Sequence, residues 1–451
     1  MLDFKELYTR KYKMGAYDML KKLVSFSSVL DEYVENGKEP FGTQNRLILQ
    51  YVVAHGDYYG FDTLNVDNYA GHIEFGKGDE ILGILAHLDV VPVNPLNWNS
   101  DPFTLIERDG KLIARGVVDD KGPFVAAYIA MRMLKENGFE PKKRVRLIFG
   151  CDEESGSRCI ERYFSKEPKP DLAFSPDADF PLIYGEKAHY TYDILVNDNV
   201  IKSFKSGTRY NIVPDQAEAI LNVNLSKEFN KYLKDNGYEG SYDEEANRYR
   251  IKGRASHAMN PEKGINAAYL LFNFIHQNTN SSLAEFVFNY YLYDTRGIKA
   301  SYNSYDENMK ELTSNFAIVD IDDFNGKIGI NCRCPKNSDF DVIKNNVTKF
   351  ALGYGYTFKE ISRKNLHYVN PDSDFIKVLM SVYQEVTGDY MSKPFTIGGG
   401  TYASEIENGV AFGPKFIERE DVCHIANEYL YKEDLDKLIE IYFKAIYELT
   451  K

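Results

Sequence analysis

An unbroken apolar run, Ile81-Leu82-Gly83-Ile84-Leu85, leads into Ala86-His87-Leu88-Asp89-Val90. A short run without alternation reads as a strand buried on both faces. The period then changes. Phe124, Ala127, Tyr128 and Met131 recur at helical spacing, Pro123 suits a first turn and Gly138 stops the pattern, which predicts a helix over 123–137. Strands are expected at 144–149 and 172–174. Strands and helices alternating in this way predict an α/β region with a mainly parallel sheet over residues 1–185.

Around Tyr184-Gly185-Glu186-Lys187 the texture becomes α+β. Strand patterns cover 217–225 and 328–334, Asp323-Phe324-Asn325-Gly326 reads as a hairpin turn, and 264–276 reads as a helix. The stretches 227–250 and 282–315 are polar or tyrosine-rich and fit neither period. From Pro371 the first texture resumes, with helices expected over 372–387 and 432–449 and a strand over 408–412. The expectation is one α/β domain, formed by residues 1–185 and 366–451, split by an inserted α+β domain over 186–365.

At 451 residues the chain is too long for one ordinary core, and 43% apolar with 27% charged residues is a normal globular mixture. A net charge of −13 lacks the basic footprint that nucleic acid or an anionic membrane requires. No apolar stretch approaches ~18 residues, so no membrane span is expected. Met1-Leu2-Asp3-Phe4-Lys5-Glu6 carries charges and no apolar region follows, so the expected location is cytoplasmic without a signal peptide. The five cysteines form no CxxC pair, which fits a reduced chain. In Cys332-Arg333-Cys334, strand alternation places both thiols on the core face and Arg333 on the other.

A buried strand ending in a histidine and a carboxylate is costly unless something charged is bound there. Asp119 and Asp120 stand at the mouth of a predicted helix, Glu153 and Glu154 follow a strand, and Asp177 follows another. These are C-terminal strand ends, where open α/β sheets place their sites. His424 has to come from the far end of the chain. Imidazole and carboxylate together suit Zn²⁺, and Mn²⁺ and Co²⁺ fit the same donors. Two ions need about two histidines and three carboxylates, one of them bridging, plus an unligated carboxylate to take a proton from water. One of Glu153 and Glu154 can ligate while its neighbour points elsewhere. Taken singly, each piece is an ordinary strand-end histidine, solvated acidic pair or N-cap. Their joint occurrence, each after a strand, favours a pair of divalent metal ions.

The pieces AHLDVVPV, NWNSDPF, GVVDDKGP, DEESGS, SPDADFPLIYGEK, RYNIVPD, ASHAMNPEKGINA, NCRCPKN, IGGGTYA and CHIANE, spread over 86–428, resemble the M20 family of metallopeptidases and its PepV-like bacterial dipeptidase branch. The GGGTYA segment is no phosphate loop, since no Gly-Lys-Ser/Thr follows. The resemblance implies that Asp119 bridges two metals, that His87 and Asp177 complete one site, and that Glu154 and His424 complete the other. It implies Glu153 as general base, Asp89 as the group orienting His87, and a cis peptide between Asp119 and Asp120. It further implies that the insertion is a lid. From it His257 would polarise the scissile carbonyl and Arg333 would take the peptide's C-terminal carboxylate. Asn211, Gly399, Gly400 and Thr401 would line the same end. His72, His189, His276 and His367 have no matching context and are read as structural.

The expected protein is thus a monomeric dinuclear metallodipeptidase acting on small peptides with free ends. The alternatives are a same-family deacylase for N-acyl amino acids or succinyl-diaminopimelate, and a non-catalytic homologue that binds metal or peptide.

Overall fold

A computed structural model describes residues 2–451. The chain forms two compact units. Unit 1 comprises Met1–Gly185, Tyr368–Phe395 and Gly400–Lys451, and unit 2 comprises Glu186–His367 and Thr396–Gly399.

Unit 1 is α/β. Four short strands run parallel in the spatial order Arg144–Gly150, Ile81–His87, Leu172–Ser175, Gly409–Ala411. Antiparallel strands flank them: Ala70–Phe75 and Asp62–Val66 on one side, Ile183–Glu186 on the other. The sheet is therefore mixed, with a parallel centre. All seven residues of Ile81–His87 are buried, which is why the run reads as continuously apolar. The helix expected over 123–137 spans Lys121–Glu136 and is buried from Lys121 to Leu134, so it too is apolar nearly all round. The last helix, Lys432–Thr450, packs against it with a single apolar stripe.

Unit 2 is one eight-stranded antiparallel sheet in the order 240–243, 248–252, 216–221, 201–206, 313–322, 325–334, 188–197, 357–364. Helices Ala267–Asn278, Ser282–Tyr290, Ser226–Asn236 and Phe340–Leu352 supply residues to its core, in which Tyr190, Tyr192, Cys332 and Cys334 are buried. The turn expected at 323–326 is a two-residue loop. Asp323 and Phe324 both take positive φ, 45° and 64°, while Asn325 and Gly326 already belong to the next strand. Gly326 is needed there, because a Cβ would lie 2.0 Å from the Asp320 carbonyl oxygen. The stretches that fitted neither period hold the helices 226–236 and 282–290, the hairpin 240–252, and three strand segments ending at 322. All five cysteines are free, and among the described residues no helix is long and apolar enough to cross a membrane.

Candidate active site

The strand Ile81–His87 continues past its apolar run and ends on a fully buried histidine. His87 Nδ1 lies 3.0 Å from the backbone oxygen of Asp89, which can only accept. Nδ1 therefore carries the proton, and in the neutral ring Nε2 is a lone pair. That lone pair faces Asp119 Oδ1 at 2.8 Å and Asp177 Oδ1 at 3.8 Å. Three acceptors converge, and only an added proton or a cation reconciles them. Burial works against protonation of His87, yet its bonds to Asp119, Asp177 and Asp89 outweigh burial and hold its pKa well above the usual imidazole value.

Asp119 precedes the helix Lys121–Glu136, and the Asp119–Asp120 peptide is cis. Behind it the backbone is tight, since a Cβ on Gly122 would stand 2.0 Å from the Val117 carbonyl oxygen. The second carboxylate oxygen of Asp119 lies 2.8 Å from His424 Nε2, which is 3.1 Å from Glu154 Oε1. Two groups thus share one carboxylate: His87, Asp119 and Asp177, and Asp119, Glu154 and His424, with the donor atoms of each group within 4.8 Å of one another. Bonds to Asp119 and Glu154 push His424 up to about 11, and burial followed by Asp119 pushes Glu154 up to about 7. Mixed nitrogen and oxygen donors around one shared carboxylate, crowded enough to retain protons, fit a pair of divalent cations.

Asp89 does two things. Its backbone oxygen fixes the His87 ring, while its carboxylate, 3.6 Å from His87 Nδ1, accepts from the backbone N–H groups of Glu153 and Glu154, each at 3.1 Å. The turn after strand Arg144–Gly150 is thereby pinned, with adjacent side chains diverging. Glu154 meets His424, and the Glu153 carboxylate has no hydrogen-bond partner among the described residues. Burial, then the nearby Asp177, raises the Glu153 carboxyl well above the usual range. Asp120, to which the sequence reading gave no role, accepts from His87 N–H at 3.1 Å through one oxygen and leaves the other buried without a partner. Lys121 is fully buried, with Nζ donating to the Phe26 carbonyl. Burial brings it down to about 7, against the pull of Glu428 and Asp89.

Glu428 was also missed. It is fully buried and organises the loop that carries Asp119. Its Oε2 accepts from Arg115 Nη1 at 2.7 Å and Gly116 N–H at 3.0 Å, and its Oε1 from the N–H groups of Val118 at 2.8 Å and Asp119 at 3.3 Å. Replacing Glu428 by alanine strands the buried Arg115 charge and three amide donors. The expected destabilisation is about 3–5 kcal/mol, read as a lower urea midpoint together with weaker metal retention.

In unit 2 a second set gathers. Ala258 N–H donates to the Asn211 carbonyl at 2.8 Å, and the Ala258 carbonyl accepts from Thr313 Oγ1 at 3.1 Å. Thr313 is the cross-strand neighbour of Arg333. His257 and Asn211 are exposed, and Gly398 packs so closely on Met259 that a Cβ would lie 2.8 Å from the Met259 Cβ. His257 Nδ1 accepts from Met259 N–H at 3.2 Å, which places the proton of the neutral ring on Nε2. Arg333 is buried, with Nη1 donating to the Gly398 carbonyl at 3.1 Å and to His189. Gly399 belongs to this unit, whereas Gly400 and Thr401 belong to unit 1, where Thr401 Oγ1 caps the turn Tyr402–Glu405 by accepting from Ala403 N–H at 3.1 Å. The structure therefore collects His87, Asp89, Asp119, Glu153, Glu154, Asp177 and His424 in unit 1, and Asn211, His257, Arg333 and Gly399 in unit 2.

The family model described as Peptidase family M20/M25/M40 matches residues 83–448. A Staphylococcus haemolyticus protein named "Putative dipeptidase" is 39% identical over 461 residues, covering 98% of both chains. A Staphylococcus aureus (strain MW2) protein of the same name is 38% identical over 463 residues, again covering 98% of both. Among solved structures, human carnosine dipeptidase 1 shares the fold at 15% identity with a TM-score of 0.57, covering 97% of each chain. The Saccharomyces cerevisiae di-peptidase Dug1p does so at 14% identity with the same TM-score and coverage.

Proposed function

The chain belongs to the peptidase family M20/M25/M40 and is a metallopeptidase; on that premise we propose that it uses two divalent metal ions to hydrolyse dipeptides and short peptides whose ends are both free. The observation that carries this reading is the pair of ligand groups sharing Asp119, with the unengaged Glu153 carboxylate beside them. His87, Asp119 and Asp177 would hold one ion, and Asp119, Glu154 and His424 the other. Zn²⁺ is the first choice, with Mn²⁺ and Co²⁺ compatible with the same donors. Bound there, the ions supply Lewis-acid polarisation and make water acidic near neutral pH.

The remaining chemistry falls to side chains. Glu153 takes the proton of the attacking water and returns it to the leaving amine. Asp89 holds the turn that aims Glu153 and fixes the His87 ring. To unit 2 we assign recognition and oxyanion stabilisation. His257 offers its Nε2–H to the peptide oxygen, and Arg333 offers a planar fork to the C-terminal carboxylate. Asn211, Gly399, Gly400 and Thr401 are assigned to the same end of the substrate.

Hydrolysis of an unblocked dipeptide is expected to stop on chelation and to return when Zn²⁺, Mn²⁺ or Co²⁺ is restored. N-acetyl and N-succinyl amino acids are expected to turn over about ten- to a hundredfold more slowly in kcat/KM, because they keep the carboxylate assigned to Arg333 but lack the charged α-amine that an acidic group, Asp89 or Asp177, would face. An N-acyl amino acid cleaved faster than any dipeptide would replace this assignment with a deacylase.

A further inference from the structure

Arg333 is 5% exposed yet forms an ion pair with no carboxylate among the described residues. A guanidinium buried without a counter-charge is costly, and its remaining donors point to an anionic ligand. The neutral acceptors around it are specific. Nε donates to Asn331 Oδ1 at 2.9 Å, and Nη1 donates to the Gly398 carbonyl at 3.1 Å. Nη1 also meets the His189 ring, 2.9 Å from Nδ1 and in contact with Nε2. Nη2 has no acceptor among the described residues.

His189 and Arg333 are direct cross-strand partners between strands 188–197 and 325–334, and Thr191 and Asn331 are the next such pair on the same face. Asn331 Nδ2 donates to Thr191 Oγ1 at 2.8 Å, so the oxygen that receives Arg333 Nε is itself held in place. Burial, followed by the Arg333 charge, holds the His189 imidazole down at about 3, so it stays an uncharged acceptor and does not compete for an anion. Nε and Nη1 are engaged by uncharged partners, so the delocalised charge of the guanidinium has no counter-ion among the described residues and Nη2 is left to donate to an anion.

We propose that His189 is a positioning residue for Arg333: it fixes the guanidinium between the sheet and the Gly398-Gly399 backbone, presents Nη2 to the α-carboxylate of a dipeptide, and so sets the demand for a free C-terminus. This inference rests on the assignment of Arg333 to the substrate carboxylate.

The test is steady-state kinetics of the metal-loaded full chain on dialanine and on dialanine amide. Loss of one charge-assisted hydrogen bond is expected to raise KM for dialanine about tenfold or more in His189→Phe, with kcat little changed. The amide should respond far less, and His189→Gln, which restores an acceptor, should recover most of the affinity. If His189→Phe does not fold, the smaller His189→Leu carries the same prediction. An unchanged KM for dialanine, or an equal loss on peptide and amide, overturns the role of His189. Arg333→Ala separates the two ideas. If it raises KM for dialanine while His189→Phe does not, only the positioning role falls. If neither raises it, the carboxylate assignment falls as well.

Discussion

Glu153→Ala is expected to lower kcat for an unblocked dipeptide by about 10²–10⁴-fold, the range associated with loss of a positioned general base. The geometry supports an effect on chemistry and not on binding. Glu153 contributes to neither ligand group, and its carboxylate is engaged by no donor among the described residues. Its backbone is held by Asp89, so truncating the side chain leaves the turn and the neighbouring Glu154 in place. The variant should therefore retain its metal, measured by elemental analysis after gel filtration, and keep KM close to that of the parent. Glu153→Gln, with the same shape and no basic oxygen, should be as slow as the alanine variant. A fully active Glu153→Ala enzyme would remove the proposed mechanism.

Asp119→Ala is expected to be more severe, because a single side chain serves both ligand groups. Each of its oxygens lies 2.8 Å from a different imidazole nitrogen, and no other described residue belongs to both groups. Removing it leaves His87 with Asp177 and Glu154 with His424, two pairs where a structural or catalytic ion ordinarily takes at least three protein donors. The expected outcome is loss of both ions and of activity by on the order of 10³-fold or more, corresponding to several kcal/mol of transition-state stabilisation. His424→Ala provides the internal contrast, since it dismantles one group only and should retain about one ion per chain. Equal metal content in Asp119→Ala and the parent would contradict a shared ligand.

The strands nearest the site were the easiest part of the chain to read. Ile81–His87, Arg144–Gly150 and Leu172–Ser175 are buried on both faces, so they stand in the sequence as apolar runs with sharp ends, and the α/β class follows from them. The helix at Lys121–Glu136 was legible because Pro123 and the apolar spacing agree. The stretch 227–250 resisted for a physical reason. Its helix Ser226–Asn236 buries only Phe229 and Tyr232, the strand Gly240–Asp243 does not alternate, and the strand Arg248–Lys252 alternates over just five residues, too few to establish a period.

Partnerships across long separations were out of reach. Glu428 stands 313 positions from Arg115, and nothing in CHIANE distinguishes a cradle for backbone amides from a solvated acid. The sequence alone reads His189 as structural, because its significance is a matter of register: only the pairing of 188–197 with 325–334 puts it opposite Arg333. The Asp89 carboxylate likewise could be read as near His87 from the spacing, but not as the acceptor for two amides sixty-odd residues later.

The distribution of ligands along the chain has a bearing on biosynthesis. His87, Asp119, Glu154 and Asp177 leave the ribosome well before His424 and the Glu428 that braces the Asp119 loop. A polypeptide synthesised only as far as Asp177 carries the residues of one ligand group but lacks the histidine of the other. On the proposed assignment, the group Asp119, Glu154 and His424 is completed only once His424 has emerged, so a nascent chain that stops short of it would lack a full second cage and with it the ability to cut peptide bonds.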